Sequence, residues 1–111
     1  MTYHAPIREM QFLLETVLGA GRLTETERFA EATPDLSEAI LGGGARMAEG
    51  VLAPLNRGSD LQGSVRENGV VRTSPGFVDA YRAIAEGGWC SISSDPQWGG
   101  RGLPMTLTSC V

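Results

Sequence analysis

The sequence contains no lysine: all nine of its basic residues are arginine. This removes the Schiff-base amine and the phosphate-binding lysine of P-loop sites. Histidine occurs once, at His4, and cysteine twice, at Cys90 and Cys110, too few for a His- or Cys-rich zinc cage. No basic stretch followed by an apolar run and a small-residue cleavage site opens the chain, so no secretory signal is expected. The apolar runs are a few residues long, against about 18 to 20 for a membrane span. The expected location is cytoplasmic, with both thiols reduced. Positive charge is also short, with nine basic residues against thirteen acidic ones and a net charge of −4. That is the wrong sign for gripping a phosphate backbone. Neither nucleic acid nor membrane is an expected partner.

What is present suits one small domain: 111 residues, 41% of them hydrophobic, enough to bury somewhat over about 60% of the unfolded surface. Ile7, Met10, Leu13, Leu14, Val17 and Leu18 recur at helical spacing, predicting an amphipathic helix that Pro6 starts and Gly19 and Gly21 end. Thr24 with Glu27 three residues on is a capping-box pattern, predicting a short helix to about Ala32. Thr33-Pro34-Asp35 starts another helix, expected to reach about Ala53 with Leu36, Ala39, Ile40, Met47, Val51 and Leu55 inward. Gly42-Gly43-Gly44 interrupts it at a cost of about 3 kcal/mol relative to alanine, and reads as a local weakness. Pro54 is expected to kink or end that helix and Gly58 to close it.

Between Ser64 and Thr73 the period changes, with Val65, Val70 and Val71 around Asn68-Gly69, the preferred pair for a two-residue hairpin turn. Such a ribbon needs something to lie on. Ser74-Pro75-Gly76 opens a helix with Phe77, Ala80, Tyr81 and Ile84 on its apolar side, stopping at Gly87-Gly88 with Trp89 packed beneath its end. Residues 95–102 form a turn-rich loop, and Pro104 begins a last helix, Met105 to Val111, which stops without a capping residue and reads as interrupted. Charge divides unevenly: residues 1–53 hold four Arg and eight acids, while residues 54–111 hold five of each.

No catalytic, cofactor-binding or metal-ligating residue is singled out. Gly99-Gly100-Arg101-Gly102 lacks the spacing of a phosphate loop and reads instead as glycines letting the backbone turn beside a packed Trp. Glu25 with Glu27, and Asp79 with Glu86, read as solvated helix faces, not acid/base pairs. His4 has no acidic or thiol partner nearby in sequence and reads as a surface or capping residue.

Two segments carry a resemblance. Glu86-Gly87-Gly88-Trp89 and Asp95-Pro96-Gln97-Trp98-Gly99-Gly100-Arg101-Gly102-Leu103-Pro104 resemble the GGW and DPxxGGxGLP signature near the N-terminus of FAD-dependent acyl-CoA dehydrogenases. Ala48 to Asp60, with its Val-Leu-Ala-Pro-Leu-Asn-Arg run, and Glu67-Asn68-Gly69-Val70-Val71 resemble that family's second long helix and the hairpin after it. Tyr3-His4-Ala5-Pro6 with Met10, Phe12 and Leu13 resembles the extension of the family's longer branch, which includes enzymes acting on methylmercaptopropionyl-CoA.

The resemblance implies a mainly α fold: a partial N-terminal helical domain of the acyl-CoA dehydrogenase fold with a small β-hairpin insert. It would be one truncated domain, 1–111, with an extension helix at 1–22, helices at 23–58, the hairpin at 64–73, and a helix, glycine loop and interrupted helix at 74–111. In the family a glutamate takes the α proton of an acyl-CoA thioester, the flavin receives the β hydride, and electrons leave to an electron-transfer flavoprotein. Acyl-CoA, FAD and that partner therefore belong to the full-length enzyme. The 111-residue chain alone is expected to be inactive and to bind no cofactor. It is also expected to self-associate through its first and third helices, because faces the family buries between domains stand open. The alternative is an autonomous helical protein-interaction module derived from that family.

Overall fold

The computed structural model describes residues 2–111. Helix α1, Ile7–Phe12, continues into a π turn, Leu13–Val17, where the Leu18 N–H donates to the Leu13 carbonyl at 2.9 Å, and Gly19 ends it at φ 61°. The span matches the predicted helix; its inward face is narrower. Leu14 is buried and Ile7 and Met10 are half-buried, whereas Leu13, Val17 and Leu18 are exposed. The wide turn lags the α period and carries the last two off the core side.

The predicted helix from Thr24 to Ala32 is not formed. Two 3₁₀ segments, Ala20–Glu25 and Glu27–Phe29, occupy the stretch. Thr24 donates its hydroxyl back to the Gly21 carbonyl at 2.7 Å, so the capping role falls to Thr26, whose oxygen accepts from the Phe29 N–H at 3.3 Å. Local side-chain bonding to the backbone has won over the helix here.

Helix α2, Pro34–Met47, begins as predicted, with the Thr33 hydroxyl accepting from the Leu36 N–H at 3.3 Å. Pro54 does not end the run of helical turns. A second π turn, Ala48–Leu52, sends the Ala53 N–H back five residues to the Ala48 carbonyl, and α3, Ala53–Gln62, runs on with Pro54 in its first turn. Proline lacks an N–H and its ring crowds the carbonyl four residues back, so a widened turn beside it relieves both. Gly58 lies inside α3; the helix closes at Gly63, φ 65°. The inward stripe also differs. Leu41, outside the predicted set, is the most buried large side chain at 1% exposure, and Ala39 is exposed.

Strands β1, Val65–Glu67, and β2, Val70–Arg72, pair antiparallel around Asn68 and Gly69, both at positive φ. All six strand residues are exposed. The ribbon is anchored at its base, where the buried Ser74 hydroxyl donates to the Gly63 carbonyl at 3.0 Å. Helix α4, Phe77–Glu86, follows, and α5 covers only Met105–Thr108. Beyond it, Cys110 and Val111 close three-residue turns onto Leu107 and Thr108 where the sequence predicts continuing helix.

The core gathers Leu14 from the first π turn, Ala32 from just before α2, Leu41 from α2, Ile92 from the turn after Trp89, Leu103 from the glycine loop and Leu107 from α5. The molecule extends 56 × 36 × 17 Å, with a Cα radius of gyration of 17.0 Å, where a compact chain of this length has about 13 Å. It exposes 8140 Å² of surface, against about 5900 Å² for a compact protein of its mass. No helix among the described residues is long and apolar enough to cross a membrane.

Candidate functional site

The segments singled out by the sequence meet where α4 ends. Gly87 and Gly88 bring the chain to Trp89, whose six-membered ring packs against α2. A Cβ on Gly43 would stand 2.8 Å from Trp89 Cη2, and one on Gly44 would stand 3.1 Å from Val111 Cγ1. A Cβ on Gly87 would meet Nε1 of the same indole at 2.5 Å. The glycine run expected to weaken the helix is therefore where a ring and the last residue seat against bare backbone. The sequence shows three glycines in a row; what they face comes from residues some forty-five and more positions away.

The loop of residues 95–104 is built from its first residue. Asp95 Oδ1 accepts from the Gln97 N–H at 2.8 Å, Pro96 opens a 3₁₀ turn to Trp98, and Gly99 turns left-handed at φ 82°. The amides from Gly99 to Leu103 are all committed. They donate in turn to the carbonyls of Pro96, Asp95, Ser91, Ser94 and Ile92 at 2.9–3.1 Å. A phosphate needs amides pointing outward and free, so this loop offers none. Gly100 is required for another reason: a Cβ there would fall on the Ser94 carbonyl. Trp98, expected to be packed, is 81% exposed. The tight turn holds itself together by its own hydrogen bonds and leaves the ring outside.

Arg101 stands between two open crevices. One, of about 390 Å³, runs along Leu36, Ile40, Trp89 and Ile92; the other, of about 430 Å³, runs past Arg28, Phe29 and Asp95. Glu31, Arg101 and Leu103 border both. The Arg28 guanidinium covers the Phe29 ring at 5.4 Å, a cation–π contact at the edge of the second crevice.

The remaining candidates are dispersed. Glu25, Glu27 and Glu86 are exposed, and Asp79 pairs with Arg82 at 3.4 Å on the solvent side. Cys90 is exposed and Cys110 half-buried, and both are free thiols. Among the described residues no three His, Cys, Asp or Glu side chains come together as metal ligands. His4 does gain an acidic neighbour that sequence distance hid. Glu49, in the second π turn, accepts from the Ala5 N–H at 2.8 Å and lies 4.0 Å from His4 Nδ1. At 79% exposure, His4 remains a surface residue on a tethered N-terminal strap, and Glu49 is the tether.

No protein-family model matches the chain. Its sequence is nonetheless homologous to part of an acyl-CoA dehydrogenase, and the resemblance carried by the Trp89 corner and the glycine loop is borne out. The relative is the 3-methylmercaptopropionyl-CoA dehydrogenase of Ruegeria pomeroyi, 33% identical over 107 residues, which are 96% of this chain and 18% of that protein. The chain thus spans about a fifth of the length of the curated relative it matches.

Proposed function

We propose that this chain is the N-terminal helical scaffold of an FAD-dependent acyl-CoA dehydrogenase, the part that shapes one wall of the enzyme and leaves the reaction to other segments. The observation that carries the reading is the relative's match to nearly the whole chain while the chain accounts for 18% of the relative. The flat, under-buried shape supports it, since a scaffold layer finishes its core against neighbouring domains. In the whole enzyme, removal of hydrogens from the α and β carbons of an acyl-CoA thioester would rest on FAD. Electrons would then pass to an electron-transfer flavoprotein.

The committed amides of the glycine loop do not fit a flavin pyrophosphate, so no step is assigned to residues of this chain. A cytoplasmic location goes with this reading. The runner-up, a self-standing interaction module from the same family, draws on the same exposed surface.

Two measurements separate the readings. Under the scaffold reading the reading frame runs on past the Val111 codon for several hundred codons, and the purified 111-residue chain is colourless and inactive on acyl-CoA thioesters. A stop codon there, with the short product made in cells, would overturn it in favour of the module. A yellow preparation would overturn the assignment of the flavin to other segments.

A further inference from the structure

We propose that the N-terminal strap, residues 2–6, is a pin that fixes the rotational setting of α3 about the helical rod and, through it, the seat of α4. The strap crosses the second π turn with a hold on each side of it. Near the start of the turn, Glu49 Oε1 accepts from the Ala5 N–H at 2.8 Å in a half-buried contact, with His4 Nδ1 4.0 Å away. Past the turn, Tyr3 borders an open groove of about 410 Å³ together with Leu52, Ala53, Asn56 and Arg57.

The turn between these holds has little else to steady it. Pro54 lacks the amide that would donate to the Gly50 carbonyl in a regular helix, and a Cβ on Gly50 would meet nothing within 4 Å. A regular α turn here would leave Glu49, next to the end of α2, where it is. It would rotate Ala53, Asn56 and Arg57 by one residue's step, about 100°, out of line with Tyr3. Both holds are engaged together only on the widened turn. The setting reaches α4 through Leu55: a Cβ on Gly76, the residue before α4 at φ 86°, would stand 2.7 Å from Leu55 Cδ2. Leu55 therefore seats on bare backbone at the start of α4, and a rotated α3 would carry it away.

Amide hydrogen exchange and NMR of the 111-residue chain test the pin, read at the Ala53 N–H, which bonds to the Ala48 carbonyl across the turn, and at the contact between the Leu55 methyls and Gly76. Glu49→Leu removes the acceptor and Ala5→Pro removes the donor. Each should speed Ala53 exchange at least about tenfold and weaken the Leu55–Gly76 contact, while the Ile40 amide in α2 keeps its protection. Glu49→Gln retains an accepting oxygen and should stay within about threefold of the parent. Two holds acting as one pin are non-additive, so Tyr3→Ala should also speed Ala53, and adding it to Glu49→Leu should change the rate by no more than about twofold. Circular dichroism verifies that each variant is folded, and Ala5→Pro carries the test should Glu49→Leu fail to fold. Ala53 protection that survives loss of donor or acceptor overturns the proposal. So does a double variant whose effects multiply, which would make the holds independent, and so does equal acceleration at Ile40 and Ala53, which would be a general loosening.

Discussion

The two ends of the molecule solve burial differently. Where the first π turn, α2, the glycine loop and α5 meet, six side chains are buried in one cluster and a tryptophan lies on bare helix backbone. Along α3, the hairpin and α4, the buried residues are Ala80 and Ser74. The same 111 residues thus hold a finished core and an unfinished one. The first is held by contacts between residues far apart in sequence, whereas the second consists of two ten-residue helices and a two-stranded ribbon, too short to be stable without further packing.

Substitutions at the two ends should part accordingly. Leu41→Ala, in the centre of the finished core, should lower stability by about 2–5 kcal/mol; a urea or thermal midpoint close to that of the parent would contradict the cluster described. Gly43→Ala should also destabilise. Its methyl must displace the Trp89 ring at a cost of about 1–3 kcal/mol, from which about 1 kcal/mol of helix propensity is recovered. Tryptophan fluorescence should shift along with the midpoint.

Gly58→Ala sharpens the contrast, because nothing stands within 4 Å of a Cβ there. The same exchange in α3 should raise stability by about 0.5–1 kcal/mol, so two glycines of one helical rod should respond with opposite signs. A midpoint that falls for both would mean that α3 packs more closely than described. Tyr81→Ala, at a side chain 71% exposed, should change stability by no more than about 0.5 kcal/mol. A larger loss would show that the α3–α4 end has a core of its own.

Much of this architecture was legible in the sequence, and unevenly. Thr33-Pro34-Asp35, Asn68-Gly69 and the stop at Gly87-Gly88 were read correctly because each acts within a few residues, through a cap, a turn or a proline. Thr24 misled because two threonines two positions apart compete for one capping role, and hydroxyl bonding decides between them. Pro54 misled because a proline forbids a regular α turn and says nothing about a wider one. The roles of Gly43, Gly44 and Glu49 were out of reach. Each depends on a residue from another element arriving within van der Waals or hydrogen-bond distance, and the sequence around each position carries no mark of it. The glycine loop lay between these cases. Its motif was visible and pointed to the family of the relative that the chain matches, while the direction of its amides appeared only with the fold.

The second π turn also sets a phase. By the regular period of about 100° per residue, Leu52, Leu55, Asn56 and Ser59 would sit roughly a quarter-turn or more around the rod from Leu36, Ile40 and Met47. The extra residue accommodated between Ala48 and Leu52 takes up that lag. By that count the groove side of α3 turns back toward the core side of α2, so one continuous run of helical turns carries both the residues that line the α4 groove and the glycines under Trp89. The long rod thus resets its helical phase beside the proline, and residues separated by several turns share one side of it.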